Sequence, residues 1–541
     1  MQATGMAANR WLAGACVAVL CALVAAQAWT SLRTKSLTFD EVTYIPAGYS
    51  YVVTGDYRLN PEHPPLAKLL AGIALLPLRP RLDTSHPAWQ RADQWAFGRD
   101  FFEDSGVPVE RLVSAARLPT VLLTMLLVVA VYALASNLYN REAGLLAAWL
   151  AAFCPNLLAH GRLATNDLAL TFTLLITTLA VLRFTRRPTI VNLLMTGSAL
   201  GLALLTKFIA VLLIGLVPLW LLISALPEGR LAVPESRWLA SVRKPRVRRL
   251  AFATASGAAA IAIGLLVVTL AYRTPGDLGP YLDGLRVLYT NVHLDLPAYF
   301  NGSFHRDGLP YYFLAVFLLK TPTPFLLLLG LRVGDQVARR DLDIDPLIFL
   351  VLPVAFWFAV ITATALPFGV RYILPTYPLL FVYASGVTAS PGFGRRWSKA
   401  CVAGLAALMA VTAVRAHPHY LPYFNLLAGG PANGIEWLDD SNVDWGEDLP
   451  LLREYVEEHG ITELTVAPMG WYDPALYGVP GRVVGPDEML RLLADPNAPP
   501  GVYAVSAHVL TRGRYNPSSF DALTELEPVA ILGYSIYVYE R

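Results

Sequence analysis

Charge is scarce in this chain. Only 15% of its 541 residues are Asp, Glu, Lys or Arg, while 55% are hydrophobic. Soluble domains carry about a quarter charged residues, so an ordinary soluble enzyme is excluded, and no nucleic-acid partner is expected. The mean hydropathy of +0.47 points to a polytopic membrane protein. Cysteine is nearly absent as well. Cys16, Cys21, Cys154 and Cys401 all lie inside apolar runs, where neither a disulfide framework nor a thiolate metal site is expected. No internal repeat or low-complexity linker divides the chain. The net charge of +2 says little as a total, because a bilayer sorts charges by side.

Long apolar runs are abundant. Residues 11–30 suffice for one span, given that a bilayer needs about 20 residues. Ala26-Gln27-Ala28 resembles a signal-peptidase site, but a single Arg10 makes a weak n-region and the run is long, so a retained span is expected. Ten more spans are predicted at about 112–137, 143–159, 165–183, 190–206, 208–226, 250–272, 309–331, 346–365, 370–389 and 399–416, giving eleven in all. The segment from Leu66 to Leu78 is too short to cross comfortably and is flanked by prolines, so it reads as an interfacial or re-entrant helix.

The positive-inside rule orients this array. With a cytoplasmic N-terminus, the cytoplasmic connections hold Arg183, Arg186 and Arg187, then Arg243, Lys244, Arg246, Arg248 and Arg249. They also hold Arg332, Arg339 and Arg340, and Arg395, Arg396 and Lys399, whereas the opposite short loops carry little beyond Arg162 and Lys207. Three regions then face outward: a first loop over 31–111, a second over 273–308, and a soluble tail over 417–541. The predicted fold class is thus an all-α polytopic membrane protein with interfacial helices and a small C-terminal α/β domain. In that tail Asp448 to His459 reads as a helix, and 463–467, 502–507 and 531–539 read as strands from their β-branched and aromatic content.

Polar residues collect at helix ends on the predicted outer side. Asp40 and Glu41 follow the first span; Glu62, His63 and Lys68 bracket Pro64-Pro65; Asn166 and Asp167 open the fourth span. Lys207 lies between two spans, and Arg371 and Tyr372 open the tenth. His293, Asp295, His305, Arg306 and Asp307 occupy the second outer loop. Each has a plain alternative. Asp167 reads as an acidic helix cap, Arg371 as a snorkelling anchor, and Asp40 or His63 as an ordinary loop residue. Together they hold acids from several segments facing bases from others, which is what transfer from a phosphate-linked donor requires.

Several motifs carry a more specific resemblance. Phe39-Asp40-Glu41, Asn60-Pro61-Glu62-His63-Pro64-Pro65 and Ala164-Thr165-Asn166-Asp167 resemble, in that order, the acidic motifs of the C-type glycosyltransferases. Arg371-Tyr372-Ile373-Leu374-Pro375 is similar to the late Arg-Tyr motif of the protein O-mannosyltransferase and aminoarabinose transferase-like superfamily. Ser441-Asn442-Val443-Asp444-Trp445-Gly446-Glu447-Asp448-Leu449 resembles a motif of its bacterial, phospholipid carrier-dependent members. At His63 the aminoarabinose-type enzymes carry Lys, and the chain has no insertion for the lumenal repeat domain of the eukaryotic enzymes.

The resemblance implies an inverting, integral-membrane glycosyltransferase of the bacterial inner membrane. It would move a sugar from a polyprenyl-phosphate donor to a hydroxyl on a protein, lipid or glycan. Asp40 is expected as the base, with Glu41 as neighbour or substitute. Arg371 is expected to clamp the donor phosphate, with Lys207 and Lys68 as weaker candidates. Glu62, His63, Asp167 and Tyr372 would line the site, and Asp444 and Trp445 are candidates on the acceptor side. No cofactor is demanded, although Glu62, His63 and Asp167 could hold a divalent cation. An oligosaccharide ligase, flippase or transporter of the same carrier lipid is the alternative.

Reporter fusions test this orientation. Fusions after residues 60, 167 and 430 should be active only in a periplasmic reporter, and fusions within 243–249 or 395–399 only in a cytoplasmic one. The reverse pattern would overturn the outer placement of Asp40 and Asp167.

Overall fold

The computed structural model describes the chain except residues 1, 235–241, 292–296, 307, 341–342, 365 and 514–525, with the side chains of 2–10 and 291 also left out. His293, Asp295 and Asp307 therefore lie outside the described residues.

The protein is a helical membrane protein with a small sheet near its C-terminus. Among the described residues, seven helices are long and apolar enough to cross a bilayer: Trp11–Leu32, Val109–Leu138, Asn166–Arg186, Phe208–Ala225, Pro245–Ala271, Ile344–Thr364 and Arg396–Ala416. The pair Tyr312–Lys320 and Thr323–Arg339, bent by 111° at its break, is together apolar enough to count as an eighth if it forms one broken span. The sequence predicts one straight run over 309–331. Pro322 removes a backbone donor at the break and Pro324 sits in the first turn of the new helix, which accounts for the bend. The other three expected spans fall on shorter or broken helices: Arg141–Ala152 with Pro155–His160, Ile190–Leu204, and Val370–Ile373 with Tyr377–Ser385.

The first long connection is mainly helical. The short helix Leu66–Leu75 forms as expected. Helix Glu41–Thr54 does not follow from sequence periodicity, because its first eleven residues are all buried and no polar face alternates with an apolar one. These two helices touch through backbone. A Cβ on Gly48 would lie 2.0 Å from the Lys68 carbonyl oxygen, and one on Gly72 would lie 2.1 Å from the Gly48 carbonyl oxygen. Glycine is required at both positions for this approach.

The tail builds a five-stranded sheet in the order β4-β3-β5-β7-β6. The strands are β3 (Leu464–Ala467), β4 (Arg482–Val483), β5 (Val502–Ser506), β6 (Ala530–Leu532) and β7 (Ile536–Glu540), while β1 (Ala298–Phe300) and β2 (Ser303–His305) form a separate hairpin. Strands β3, β4 and β5 run parallel, and β7 pairs antiparallel with both β5 and β6. Helix Leu449–His459 leads into β3. The tail shares one apolar core with the first connection, where Leu37, Val42 and Ile45 pack with Leu449, Leu452, Val466 and Val538.

Buried ion pairs fasten the same contact. The Lys35 ammonium bonds Asp448 and lies 3.3 Å from Glu447, which also accepts from Arg162 at 2.7 Å. Further along, the His508 ring sits 2.9 Å from Asp439, whose other oxygen lies 3.2 Å from Arg512. Burial pushes the His508 pKa down, but the Asp439 carboxylate outweighs it and raises it to about 9. A pKa raised on folding stabilises the fold fully below the unfolded value of about 6.5 and loses that stabilisation as pH rises through the folded value. The melting temperature in detergent should therefore fall between pH 6.5 and pH 9, and Asp439→Asn should flatten that slope. An equal slope in the variant would count against the pair.

Candidate active site

Arg371 stands in the middle of the cluster. Its Nη2 donates to Asp40 Oδ2 at 2.6 Å, its Nε donates to Asp167 Oδ2 at 3.2 Å, and the guanidinium lies 4.4 Å from the centre of the Trp445 ring. Lys207 completes the group, donating to Asp167 Oδ1 at 2.8 Å and lying 4.4 Å from the centre of the Tyr372 ring. Four segments widely separated in sequence thus converge on two acids and two bases. Asp167 has no exposed side-chain surface, whereas Asp40 keeps 17% of its side chain exposed. Burial raises the pKa of Asp40 above the usual carboxylate range, and the Arg371 charge only partly offsets it.

The tail motif explains how Arg371 is held. Ser441 Oγ donates to the Phe368 carbonyl at 3.2 Å, and Asn442 Oδ1 accepts from the Val370 amide at 2.9 Å. Gly369 adopts φ +78° between them, and a Cβ there would lie 1.9 Å from the Asn442 amide nitrogen, so no other residue fits. Trp445 lies under the guanidinium, and its carbonyl accepts from the Phe39 amide at 2.9 Å. Glu447 and Asp448 reach Lys35. One short stretch therefore fixes Arg371 on one side and the backbone next to Asp40 on the other.

Several sequence expectations change here. Glu41 is adjacent to Asp40 but turned away, and its carboxylate is closed. Arg117 Nε and Nη2 donate to its two oxygens at 2.8 and 2.6 Å, and the amides of Ala164 and Thr38 and the Thr38 hydroxyl add 2.8, 3.0 and 3.0 Å bonds. Burial opposes its charge, but Arg117 and these donors hold its pKa below the usual range. Glu41 is accordingly a structural acid. Lys68 spends its ammonium on Asn60 O, His63 O, Asn60 Oδ1 and Tyr51 Oη, at 2.6, 2.7, 3.0 and 3.0 Å. It ties the Pro64-Pro65 loop and has no group left for a phosphate. Asp444 accepts from the Ser506 hydroxyl and the Gly446 amide, and Trp445 is buried beneath Arg371, so neither side chain faces an acceptor.

Glu62 accepts from Gln94 at 2.6 Å and Asn60 at 3.2 Å. His63 packs edge-on to Tyr44, with ring centres 5.2 Å apart. His63 Nδ1, the Tyr44 hydroxyl, the Thr165 hydroxyl and the Asn166 amide are buried without a hydrogen-bond partner among the described residues. Asp167 has both oxygens engaged by bases, and among the described residues no three His, Cys, Asp or Glu side chains group to hold a metal ion. Glu62, His63 and Asp167 are thus not gathered as three ligands around one point. His305 ends the hairpin, whose turn hangs on the carbonyls of Trp437 and Glu436. Sequence inspection missed Arg117, Tyr44 and the buried Lys320, whose Nζ donates to the Leu421 and Asn442 carbonyls at 2.8 and 2.6 Å.

The fold and site define a multi-pass membrane protein with a buried acid–base cluster. Residues 111–242, which carry Arg117, Asp167 and Lys207, match the family model described as dolichyl-phosphate-mannose-protein mannosyltransferase. Among solved structures, the chain is similar to ArnT from Cupriavidus metallidurans bound to undecaprenyl phosphate, at 16% identity and TM-score 0.48 over 97% of both chains. It is also similar to the Archaeoglobus fulgidus oligosaccharyltransferase in complex with Zn and sulfate, at 14% identity and TM-score 0.43 over 95% of this chain and 71% of that one. The protein O-mannosyltransferase Pmt1-Pmt2 complex of S. cerevisiae bound to the sugar donor gives 18% identity and TM-score 0.32 over 52% and 33%. No curated protein matches the chain.

Substitution separates the two neighbouring acids. Glu41→Ala leaves the Arg117 charge buried and unpaired, which should cost about 3–5 kcal/mol of stability. Glu41→Ala combined with Arg117→Met should recover much of that loss in a thermal melt. A fully stable Glu41→Ala protein would refute the structural role.

Proposed function

We propose that the protein is an inverting glycosyltransferase that moves a sugar from a polyprenyl-phosphate donor to an acceptor hydroxyl. The observation that carries this is the Arg371 guanidinium held between Asp40 and Asp167 with Lys207 alongside. Asp40 Oδ takes the proton of the acceptor hydroxyl as its oxygen attacks the anomeric carbon. The bond from that carbon to the phosphate oxygen breaks on the opposite face, and polyprenyl phosphate leaves with its charge. A phosphate leaving group needs charge stabilisation rather than a proton. Arg371 Nη1 meets no acceptor among the described residues and Lys207 bonds only Asp167 there, so both have donors to offer the phosphate. A guanidinium suits a phosphate geometrically. Asp167 holds these two bases in place. The unpartnered groups of Tyr44, His63, Thr165 and Asn166 would meet the sugar or phosphate.

The donor tail would lie in the bilayer of a bacterial inner membrane. The N-terminus would be cytoplasmic, residues 1–416 would form the membrane domain, and 417–541 would form a periplasmic domain. The raised pKa of Asp40 suits a base, because a more basic carboxylate takes a proton more readily.

Nanodisc-embedded protein given radiolabelled polyprenyl-phosphate mannose or aminoarabinose, with a panel of hydroxyl acceptors, should release polyprenyl phosphate. Asp40→Asn should lower kcat by about 10²–10⁴-fold. Activity should fall on acidification through a limb lying above the pKa of about 3.9 of free Asp. Full turnover by Asp40→Asn would refute the base, and movement of an intact donor across the disc without bond cleavage would support a flippase.

A further inference from the structure

Phe39, Trp95 and Trp471 form a ladder of aromatic rings that starts at the residue before Asp40 and ends in solvent. Ring centres are 4.9 Å apart from Phe39 to Trp95 and 5.6 Å apart from Trp95 to Trp471. Phe39 and Trp95 are half-buried, while Trp471 is 56% exposed. The three rings come from the turn after the first helix, from helix Gln94–Asp104, and from the loop after β3.

The backbone beside each ring is anchored. The Phe39 amide donates to the Trp445 carbonyl at 2.9 Å, and Asp93 caps the helix that opens at Gln94. Next to Trp471, the Tyr472 hydroxyl reaches the carbonyls of Leu37 and Gly446 at 2.8 and 3.0 Å. The backbone of Gly446 is pressed so closely to Met469 that a Cβ would lie 2.1 Å from its carbonyl oxygen. Trp471 is therefore held outward by anchored backbone on both sides. Interfacial tryptophans flank spanning helices, as Trp29 does near the end of Trp11–Leu32. Trp471 belongs instead to the tail, and its ring packs on Trp95.

Beside the ladder sits a knot of polar side chains. Gln94 donates to Glu62 at 2.6 Å, and Asn60 donates to Gln94 at 2.6 Å and to Glu62 at 3.2 Å. The exposed face of the Trp471 ring matches a pyranose, which has an apolar C–H face and a rim of hydroxyls. A serine or threonine in a peptide has no such flat face.

We propose that the Phe39–Trp95–Trp471 ladder binds a pyranose ring of the acceptor, so that the acceptor hydroxyl belongs to a saccharide. The proposal rests on Asp40 acting as the base, since Phe39 shares the turn that carries Asp40. Saturation-transfer NMR on nanodisc-embedded protein tests it independently of turnover. The probes are methyl glucoside, galactoside, mannoside and N-acetylglucosaminide, against serine- and threonine-containing pentapeptides. At least one pyranoside should show saturated ring protons. Trp471→Ala should weaken that binding about tenfold, and Trp471→Phe should retain most of it. A second arm presents the same sugars as short-chain glycolipids in the disc. Competition with the soluble pyranoside then separates a lipid-borne from a free glycan. No saturation of any pyranoside, equal saturation in Trp471→Ala, or saturation of the peptides alone would overturn the proposal. Arg371→Ala, which lies outside the ladder, should lose polyprenyl phosphate release while keeping pyranoside saturation, so failure of the donor chemistry and failure of the ladder read out separately.

Discussion

The structure depends on holding one guanidinium in a fixed place inside a largely apolar protein. Arg371 is 8% exposed at its side chain and is shared by two carboxylates. Moving such a charge out of water costs several kcal/mol unless good geometry and further bonds compensate it. Asp40 and Asp167 supply the counter-charge, Trp445 supplies a ring face, and the glycine before Val370 allows Asn442 to grip the backbone. Each partner comes from a different part of the chain, so the cluster also closes the fold. Removing the tail motif would free Arg371 and the turn at Phe39 together. The dense Ser-Asn-x-Asp-Trp-Gly-Glu-Asp pattern therefore has a mechanical reason at nearly every position.

Asp40 and Glu41 show how adjacent acids acquire opposite fates. Both stand at the start of one helix, where successive side chains diverge by about 100°. That rotation sends Glu41 inward to Arg117 and three donor groups from Thr38 and Ala164, and leaves Asp40 beside Arg371 with some exposure. A carboxylate with every lone pair engaged has none for a proton or a substrate. One with a single strong bond and an open edge does. Sequence proximity alone carries no information about this difference, because Arg117 is 76 residues away from Glu41.

Much of the frame was legible in the sequence for physical reasons that do not require partners to be known. Long apolar runs must span, since backbone polar groups have no alternative in lipid, and the tail strands showed in β-branched composition. The acid-and-base pattern of Asp40, Asp167 and Arg371 was legible because charges beside apolar runs are costly unless paired. What stayed hidden depends on who meets whom. Lys68 and Lys207 look alike as isolated lysines, yet one meets backbone carbonyls and the other meets Asp167. Trp445 is expected on the acceptor side from sequence, because its packing against Arg371 and His160 is a tertiary fact. The bend at Lys320 was written in Pro322 and Pro324, but a hydropathy window averages across them.

Hydrogen-bond accounting then divides the polar interior into two sets. Arg117, Glu41, Lys68, Lys35 and Asp448 are engaged with named partners, and they join segments of the scaffold. Around Arg371 the balance is different. Tyr44, His63, Thr165 and Asn166 hold buried polar atoms without partners among the described residues. A buried donor or acceptor left unpaired costs about 1–3 kcal/mol, so native proteins leave few of them. Several lie together next to a charged pair that still has unused donors. A polar molecule entering there, as proposed, would recover that cost by meeting donors and acceptors from three separate segments. The saturated groups named here tie the scaffold together, and the unpaired groups beside Arg371 are those the proposed donor would meet.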